Sequence, residues 1–315
     1  MMDKKIGIID MGTNTFHLLL AEADERGYHI FYRDRIAVKI GKGGINHGLI
    51  TEEGMNRALL TMQSFKNVMD QHGVTKSYAF GTSALRNAAN GEDVANRIHE
   101  LTGIDVHIIS GDQEAQYIYE GVKAALGLGD ENALIIDIGG GSVEFIIGNH
   151  DKVFWKQSFE IGAQRLLEKF QKHDPIVPRE ITQLDNHFDQ NLTPLFDALK
   201  KYPTKIMVGS SGTFDTLSDI FCERHGIQKS VEEIETPLSL EGFYEIYHDL
   251  LIRNRAERMN IPGMIEMRVD MIVVACCLIR YILEHHSFNR IRVSTYSLKE
   301  GVLASLINKS NLYLH

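Results

Sequence analysis

The chain carries two copies of one short pattern, in which an apolar run ends at an aspartate, passes through a glycine-containing turn and resumes as a second apolar run. The copies are Ile8–Thr15 and Ile135–Ser142, each with the apolar residues that follow it. Each copy precedes a second shared landmark: Gly81 lies 71 residues after the first aspartate, and Gly209 lies 72 residues after the second. Short apolar runs on either side of such a turn are typical of β-hairpins with a buried strand. The duplication therefore predicts two homologous α/β lobes.

Composition fits two ordinary domains and excludes several classes of protein. The 315 residues suffice for two cores without disulfide staples. With 33 Lys and Arg against 42 Asp and Glu, the net charge of −9 disfavours a general nucleic-acid or anionic-membrane binder. The longest uncharged apolar stretch, Met271–Ile279, is too short to span a bilayer. The three cysteines include an adjacent pair, so we expect no disulfide framework and a cytoplasmic location.

The two turns are candidate phosphate-binding sites. Turns rich in Gly, Thr, Asn and Ser expose backbone N–H groups and hydroxyls, which together form a concave site for phosphate oxygens. Asp10 and Asp137 end the preceding strands, where a carboxylate can hold a magnesium ion directly or through water. An ordinary hairpin turn explains either motif alone, but not the recurrence of the same aspartate with the same downstream landmark. We expect the two turns to face each other across a cleft between the lobes.

Two strand-to-helix junctions carry the second landmark. Gly81–Ser83 and Gly209–Thr213 each lie between a predicted strand and a predicted helix. Backbone N–H groups and the helix dipole favour an anion at such a junction, although helix capping by Ser or Thr alone explains the same residues. Arg86 follows one turn further and suits bidentate contact with a phosphate. A solvated helix arginine is the alternative, and spacing alone weighs the two equally.

Two glutamates lie at positions where a carboxylate could take part in catalysis or metal binding. Glu114 falls in the first turn of a helix after a predicted strand, where it could accept a proton from an attacking water. From the residues alone, a surface glutamate favoured by the helix dipole explains it better. Glu144 lies in an otherwise apolar strand, where a carboxylate is costly unless it is paired, bound to a metal or at the mouth of the cleft. Its counterpart in the first lobe is His17, which we interpret as a satisfied core histidine.

Other sequence patterns say less about the function. The histidines form no metal-binding signature, and the sequence contains neither a P-loop nor a nucleophile-elbow pattern. Lys39–Gly44 is basic and rich in glycine, and we interpret it as a mobile loop. The apolar residues from Met271 to Leu283 suit an interior helix and a homodimer face equally well.

Six segments together resemble the exopolyphosphatase / guanosine pentaphosphate phosphohydrolase (Ppx/GppA) family. Their combination and order along the chain are more specific than any one of them, and the resemblance covers nearly the whole chain. The segments are Asp10–His17, Gly81–Arg86, Ile109–Ala115, Ile136–Glu144, Gly209–Thr213 and Lys299–Leu303.

The resemblance implies an α/β fold of two ribonuclease-H-like domains, within the actin-like ATPase superfold, with the active site in the cleft between them. The N-terminal domain would comprise residues 1–124 and a returning segment at about 299–315, and the C-terminal domain residues 125–298. The resemblance also implies a hydrolase that uses Mg²⁺ to cleave a terminal phosphoanhydride bond by direct attack of water.

By motif, the resemblance assigns roles to individual residues. Glu114 matches the general base, Glu144 a second acid beside the metal, and Arg86 a catalytic cation. The metal ligands would be Asp137, Glu144 and Asp10. Phosphate binding would fall to Gly12, Thr13, Asn14, Thr15, Gly139, Gly140, Gly141, Ser142, Gly209, Ser210, Ser211, Gly212 and Thr213.

The implied partners are inorganic polyphosphate or guanosine penta- or tetraphosphate, and a monovalent cation such as K⁺ remains open as a further cofactor. Two alternatives stay in view: a non-catalytic sensor of guanosine tetra- or pentaphosphate, and an ATPase or kinase of the same superfold. Gln113 and Tyr296 depart from the family pattern, the first where a glutamate is frequent and the second where a glycine is common.

Overall fold

Each half of the chain folds around its own β-sheet. The computed structural model describes residues 5–24, 27–230 and 232–312. Within these residues one compact unit falls in Met1–Gly121 and Leu298–His315, and the other falls in Val122–Ser297. We refer to them as the N-terminal unit and the C-terminal unit.

The N-terminal unit contains a five-stranded sheet in the order β3-β2-β1-β4-β5. Strands β1 and β2 are antiparallel, as are β2 and β3, whereas β4 is parallel to β1 and to β5. The elements are β1 Lys5–Met11, β2 Thr15–Asp24, β3 Gly27–Ala37, α1 Glu52–Gln71, β4 Lys76–Gly81, α2 Ser83–Asn87, α3 Gly91–Thr102, β5 Val106–Ile108 and α4 Gly111–Leu126, which crosses into the other unit.

The C-terminal unit contains a six-stranded sheet in the order β10-β11-β9-β6-β7-β8. Its elements are β6 Ala133–Ile138, β7 Val143–Gly148, β8 Val153–Phe159, α5 Ala163–Phe170, α6 Pro178–Asn191, α7 Thr193–Lys201, β9 Ile206–Ser210, α8 Ser211–His225, β10 Glu235–Thr236, α9 Leu240–Ile252, α10 Arg255–Met259, α11 Ile272–His285 and β11 Arg290–Ser294. The last helix, α12 Leu298–Leu312, returns to the N-terminal unit.

The two hairpins have the same strand register. Asp10 pairs with His17 across β1 and β2, and Asp137 pairs with Glu144 across β6 and β7. Read from β8, the second sheet repeats the strand order of the first, with β10 added beyond β11. Every residue of β6 and β7 is buried, as expected for apolar strands covered on both faces. The duplication predicted from the sequence is therefore present in the fold.

The second landmark, Gly81 and Gly209, has a different register in the two sheets. Gly81 lies beside Met11, one residue after the first aspartate, whereas Gly209 lies beside Ile136, one residue before the second. The structural counterpart of Gly81 is thus displaced from Gly209 toward Ser211. Parallel neighbours are joined by long crossovers, so the number of intervening residues does not set their register.

Local sequence explains where the helices begin and pack. Helix α1 begins after Thr51, whose hydroxyl accepts a hydrogen bond from Gly54 N. Helix α12 packs closely on α4 because Gly301 has no side chain: a Cβ there would lie 1.7 Å from Tyr117 O. In α11, residues Ile272–Ile282 are all buried within their own unit, so this apolar stretch is an interior helix. No helix in the described part of the chain combines the length and apolarity needed to cross a membrane.

Candidate active site

In the N-terminal unit, the predicted base and the predicted phosphate-binding arginine form an ion pair. Arg86, in the last turn of α2, donates through Nη1 to Glu114 Oε2 at 2.8 Å and to Ile109 O at 3.0 Å. Glu114 is only 7% exposed. It lies in the first turn of α4, where Glu114 N donates to Ser110 O. A buried carboxylate that accepts from a fixed guanidinium is held in one orientation, which a proton acceptor for water requires.

The first turn is closed by a hydrogen bond from Gly12 N to Thr15 O at 3.1 Å. A Cβ on Gly12 would lie 2.9 Å from that carbonyl, so the turn requires glycine. The side chains of Thr13, Asn14 and Thr15 are buried, and Asp10 at the end of β1 is partly buried. These residues therefore form a compact polar cap on the sheet.

The second turn has the same closure, with Gly139 N donating to Ser142 O at 3.0 Å. Its carbonyls point to the beginning of α5: Ala163 N donates to Gly139 O and Gln164 N donates to Gly140 O, both at 2.9 Å. Within the described residues, the N–H groups of Gly140, Gly141 and Ser142 donate to no protein acceptor. A turn whose carbonyls are occupied and whose N–H groups are available is suited to bind an anion.

A row of polar side chains crosses the C-terminal sheet beside this turn. Asp137, 7% exposed, accepts from Ser211 Oγ at 2.7 Å and from Ser210 Oγ at 3.2 Å. Glu144, 1% exposed, accepts from Ser158 Oγ at 2.6 Å. The two serine hydroxyls that the sequence offers to phosphate thus donate to the Asp137 carboxylate. Two buried carboxylates satisfied by hydroxyls remain available as oxygen ligands for a hard cation.

The glycines of Gly209–Thr213 serve close packing. A Cβ on Gly209 would lie 2.0 Å from Cδ1 of Phe214, and a Cβ on Gly212 would lie 2.0 Å from Nη2 of Arg268. Gly209 itself lies inside strand β9, with Thr213 buried in the first turn of α8. The guanidinium of Arg268 therefore lies directly against the backbone at the beginning of α8.

Three further residues near the turns escaped the sequence analysis. Arg165 donates through Nε to Gly141 O at 2.8 Å and pairs with Glu160. Gly162 brings α5 onto the second turn, since a Cβ there would lie 2.4 Å from Gly140 and Gly141 backbone atoms. Arg268 contacts Gly212 as described above. A glycine before an amphipathic helix was the available signal for Gly162. The two arginines carry none, because Gly141 and Gly212, which they contact, are distant from them in sequence.

Metal-binding geometry is limited in the described residues. Among residues 5–24, 27–230 and 232–312, no group of three or more His, Cys, Asp or Glu side chains is arranged to hold a metal ion. Asp137 and Glu144 are nevertheless register partners on adjacent strands. Magnesium is usually held by one or two carboxylates together with water and substrate phosphates, so this pair fits its requirements.

The comparison with known proteins decides the family. The model of the Ppx/GppA phosphatase family matches residues 19–310, which is most of the chain. The chain belongs to the Ppx/GppA phosphatase family. The resemblance expected from the six segments is confirmed, and so is the actin-like ATPase fold of two domains, which structures of this family share. Membership of this family makes the protein a hydrolase.

The similar proteins within the Ppx/GppA family include proteins named exopolyphosphatase and a protein named pyrophosphatase. A crystal structure of an exopolyphosphatase from Cytophaga hutchinsonii has 45% sequence identity and a TM-score of 0.94, covering 97% of this chain and 98% of that chain. Exopolyphosphatase 1 of Mycobacterium tuberculosis is 25% identical over 303 residues, covering 95% of this chain and 87% of that protein. The guanosine-5'-triphosphate,3'-diphosphate pyrophosphatase of Vibrio vulnificus is 24% identical, covering 96% of this chain but 59% of that protein.

Proposed function

We propose that the protein releases terminal phosphate from inorganic polyphosphate or guanosine pentaphosphate, with Mg²⁺ as cofactor and Glu114 as general base. The observation that carries the proposal is the combination, in one unit, of available turn N–H groups with the Asp137 and Glu144 carboxylates. That combination suits a phosphate with a divalent cation. The names of the similar exopolyphosphatases and pyrophosphatase supply the substrate classes.

In the proposed reaction, a water oxygen attacks the terminal phosphorus and the bond to the bridging oxygen breaks. Glu114 orients the water and takes its proton, while Arg86 fixes the carboxylate. The N–H groups of Gly140, Gly141 and Ser142 bind phosphate oxygens as negative charge shifts to the bridging oxygen. The first turn, Gly12 to Thr15, and the beginning of α8, Ser211 to Thr213, hold further phosphate oxygens.

Asp137 and Glu144 would hold the magnesium ion, and Asp10 is a further proposed ligand. The ion would neutralise charge on the phosphate oxygens. The hydroxyls of Ser210, Ser211 and Ser158 hold the two carboxylates of the C-terminal unit in place before any ligand binds. Titration of wild type and Asp137→Asn with Mg²⁺, in the absence of substrate, tests this assignment directly.

The experiment is a phosphate-release assay with Mg²⁺ on polyphosphates of several lengths, guanosine pentaphosphate and ATP. Wild type should act on polyphosphate or guanosine pentaphosphate, and Glu114→Gln should lower turnover by about a hundredfold or more. Glu120→Gln is the matched control, because Glu120 lies on the same helix and its carboxylate accepts only from Gln116 Nε2 among the residues that the structure describes. Folded wild type that releases phosphate from neither substrate would refute the proposal, and saturable guanosine pentaphosphate binding without turnover would indicate a sensor.

A further inference from the structure

Two residues other than glycine adopt a left-handed backbone among the residues that the structure describes, and both lie beside the turns. They are Lys39, with φ 50°, and Ser211, with φ 63°. A side chain in this region costs free energy that glycine avoids, so such residues point to function when surrounding contacts impose them. For Ser211 the reason is visible, because its hydroxyl holds Asp137.

Backbone contacts impose the conformation of Lys39. Lys39 N donates to Asn14 O at 2.9 Å, and Gly41 N donates to Thr13 O at 3.1 Å. From the other side, Arg57 of α1 donates through Nε to Val38 O at 2.6 Å and through Nη2 to Lys39 O at 2.8 Å. The segment we interpreted as a mobile loop is thus bonded to the first turn on one side and to a helix on the other.

Close packing confines the same segment. A Cβ on Gly41 would lie 2.5 Å from Cγ2 of Thr13, and a Cβ on Gly54 of α1 would lie 2.8 Å from Ile40 O. Both glycines allow the chain to pass between the turn and the helix. These contacts therefore fix the position of the Lys39 backbone against the first turn.

The Lys39 side chain has no visible structural role. It is partly exposed, and within the described part of the chain its ammonium makes no ion pair or hydrogen bond. Glycine would satisfy the backbone there without strain, so the backbone conformation does not explain why the residue is lysine. A lysine ammonium is a compact cation with three donors on a flexible stem, which suits a phosphate group.

We propose that Lys39 binds a substrate phosphate group that is not transferred, forming a phosphate subsite on the first turn. The inference rests on the proposed function and adds to it a residue that determines substrate affinity. Arg86 and Glu114 pair with each other, and no contact joins Lys39 to either of them. An interaction made equally before and during reaction lowers KM and leaves kcat unchanged.

Steady-state kinetics with Lys39→Gly, Lys39→Met and Lys39→Arg tests the proposal. Removing the charge in Lys39→Gly and Lys39→Met should raise the KM for polyphosphate by about tenfold at unchanged kcat. Lys39→Arg should restore the KM to within about threefold of wild type. Lys39→Gly should also unfold at the same or a higher temperature than wild type, because glycine relieves the left-handed strain.

Lys42→Gly is the matched control, since Lys42 is exposed in the same loop and its ammonium makes no ion pair or hydrogen bond within the described residues. It should leave KM near the wild-type value. An active wild type with unchanged KM in Lys39→Gly and Lys39→Met would overturn the inference, as would an equal rise in Lys42→Gly or a fall confined to kcat. Failure of the proposed function is distinct, because wild type itself would then release no phosphate.

Discussion

The two sheets carry equivalent rows of four register partners, and the rows differ in charge. In the C-terminal unit the row is Ser210, Asp137, Glu144 and Ser158. In the N-terminal unit it is Phe80, Asp10, His17 and Arg35. One scaffold therefore presents two carboxylates between hydroxyl donors in one copy, and a single carboxylate beside basic residues in the other. Two adjacent carboxylates are suited to bind a divalent cation, so the proposed magnesium site belongs to the second row.

The two turns beside these rows are also packed against different kinds of structure, which we call their supports. A helix end backs the second turn, where the first N–H groups of α5 bond its carbonyls. An irregular segment backs the first turn, and Lys39 and Gly41 bond to it through the backbone. A helix end provides rigid N–H donors, whereas an irregular segment can place a charged side chain beside the turn. The same hairpin is thus packed against a helix end in one unit and against an irregular segment that carries a lysine in the other.

The largest expected effect separates the two rows at equivalent positions. Asp137→Asn should lower kcat by about a hundredfold or more, because it removes one of two adjacent carboxylates and replaces an acceptor with a donor. Asp10→Asn should lower kcat less, because its row contains a single carboxylate. Phosphate-release assays across a range of Mg²⁺ concentrations measure both variants. Equal losses would show that the rows have not diverged in function.

A second prediction compares the two supports, which are α5 at the second turn and the irregular segment with Lys39 and Gly41 at the first. Gly162→Ala should destabilise the protein by about 1–3 kcal/mol, since the added Cβ would meet turn backbone at 2.4 Å and neither element can move easily. Gly41→Ala should cost less, because its Cβ would meet a threonine methyl at 2.5 Å and that side chain can rotate. Denaturant unfolding of both variants gives the comparison. A larger loss for Gly41→Ala would contradict the view that the helix end is the more rigid support.

Features that depend on residues close together in the sequence could be predicted, whereas contacts between residues far apart in the sequence could not. The two hairpins follow from local patterns and are present as predicted, and the short turn of the second one makes Asp137 and Glu144 register partners. The different registers of Gly81 and Gly209 could not be predicted from their similar spacing, because each depends on a long crossover. The docking of Lys39 on Asn14, and the contact of Arg268 with Gly212, join distant segments and could not be predicted from periodicity. The proposed roles of the site residues remain predictions.

A third prediction tests the strain at Ser211. Ser211→Ala removes the hydroxyl that Asp137 accepts from, and it should lower kcat by about tenfold because a charge-assisted hydrogen bond is lost. Ser211→Gly should lose the same activity but be more stable than Ser211→Ala by about 1 kcal/mol, since glycine adopts the left-handed backbone without cost. Kinetics and thermal unfolding of the pair separate the two effects. Full activity in Ser211→Gly would show that the hydroxyl does not position Asp137.

The smallest expected effect lies beyond the far end of α5, the helix that backs the second turn. Glu180 Oε1 accepts from Lys172 N at 2.8 Å and from His173 N at 3.1 Å, which anchors the chain after α5 to α6. Burial alone would raise the pKa of Glu180, but hydrogen bonds from His173, Lys172 and Val177 lower it below 4.5. A lowered folded-state pKa means that this stabilisation is complete above the unfolded-state value and is lost as the pH falls through the folded one.

Glu180→Gln should therefore reduce the free energy of unfolding by about 1 kcal/mol near neutral pH, because the amide offers one acceptor oxygen and no charge. The difference from wild type should shrink as the pH falls through the lowered folded-state pKa of Glu180, because the wild-type carboxyl is then protonated as well. Urea unfolding at a series of pH values measures it. A loss that grew with acidity would refute the assignment. A loss of activity at unchanged stability would instead mean that the anchor acts on the second turn through α5, extending the difference between the supports.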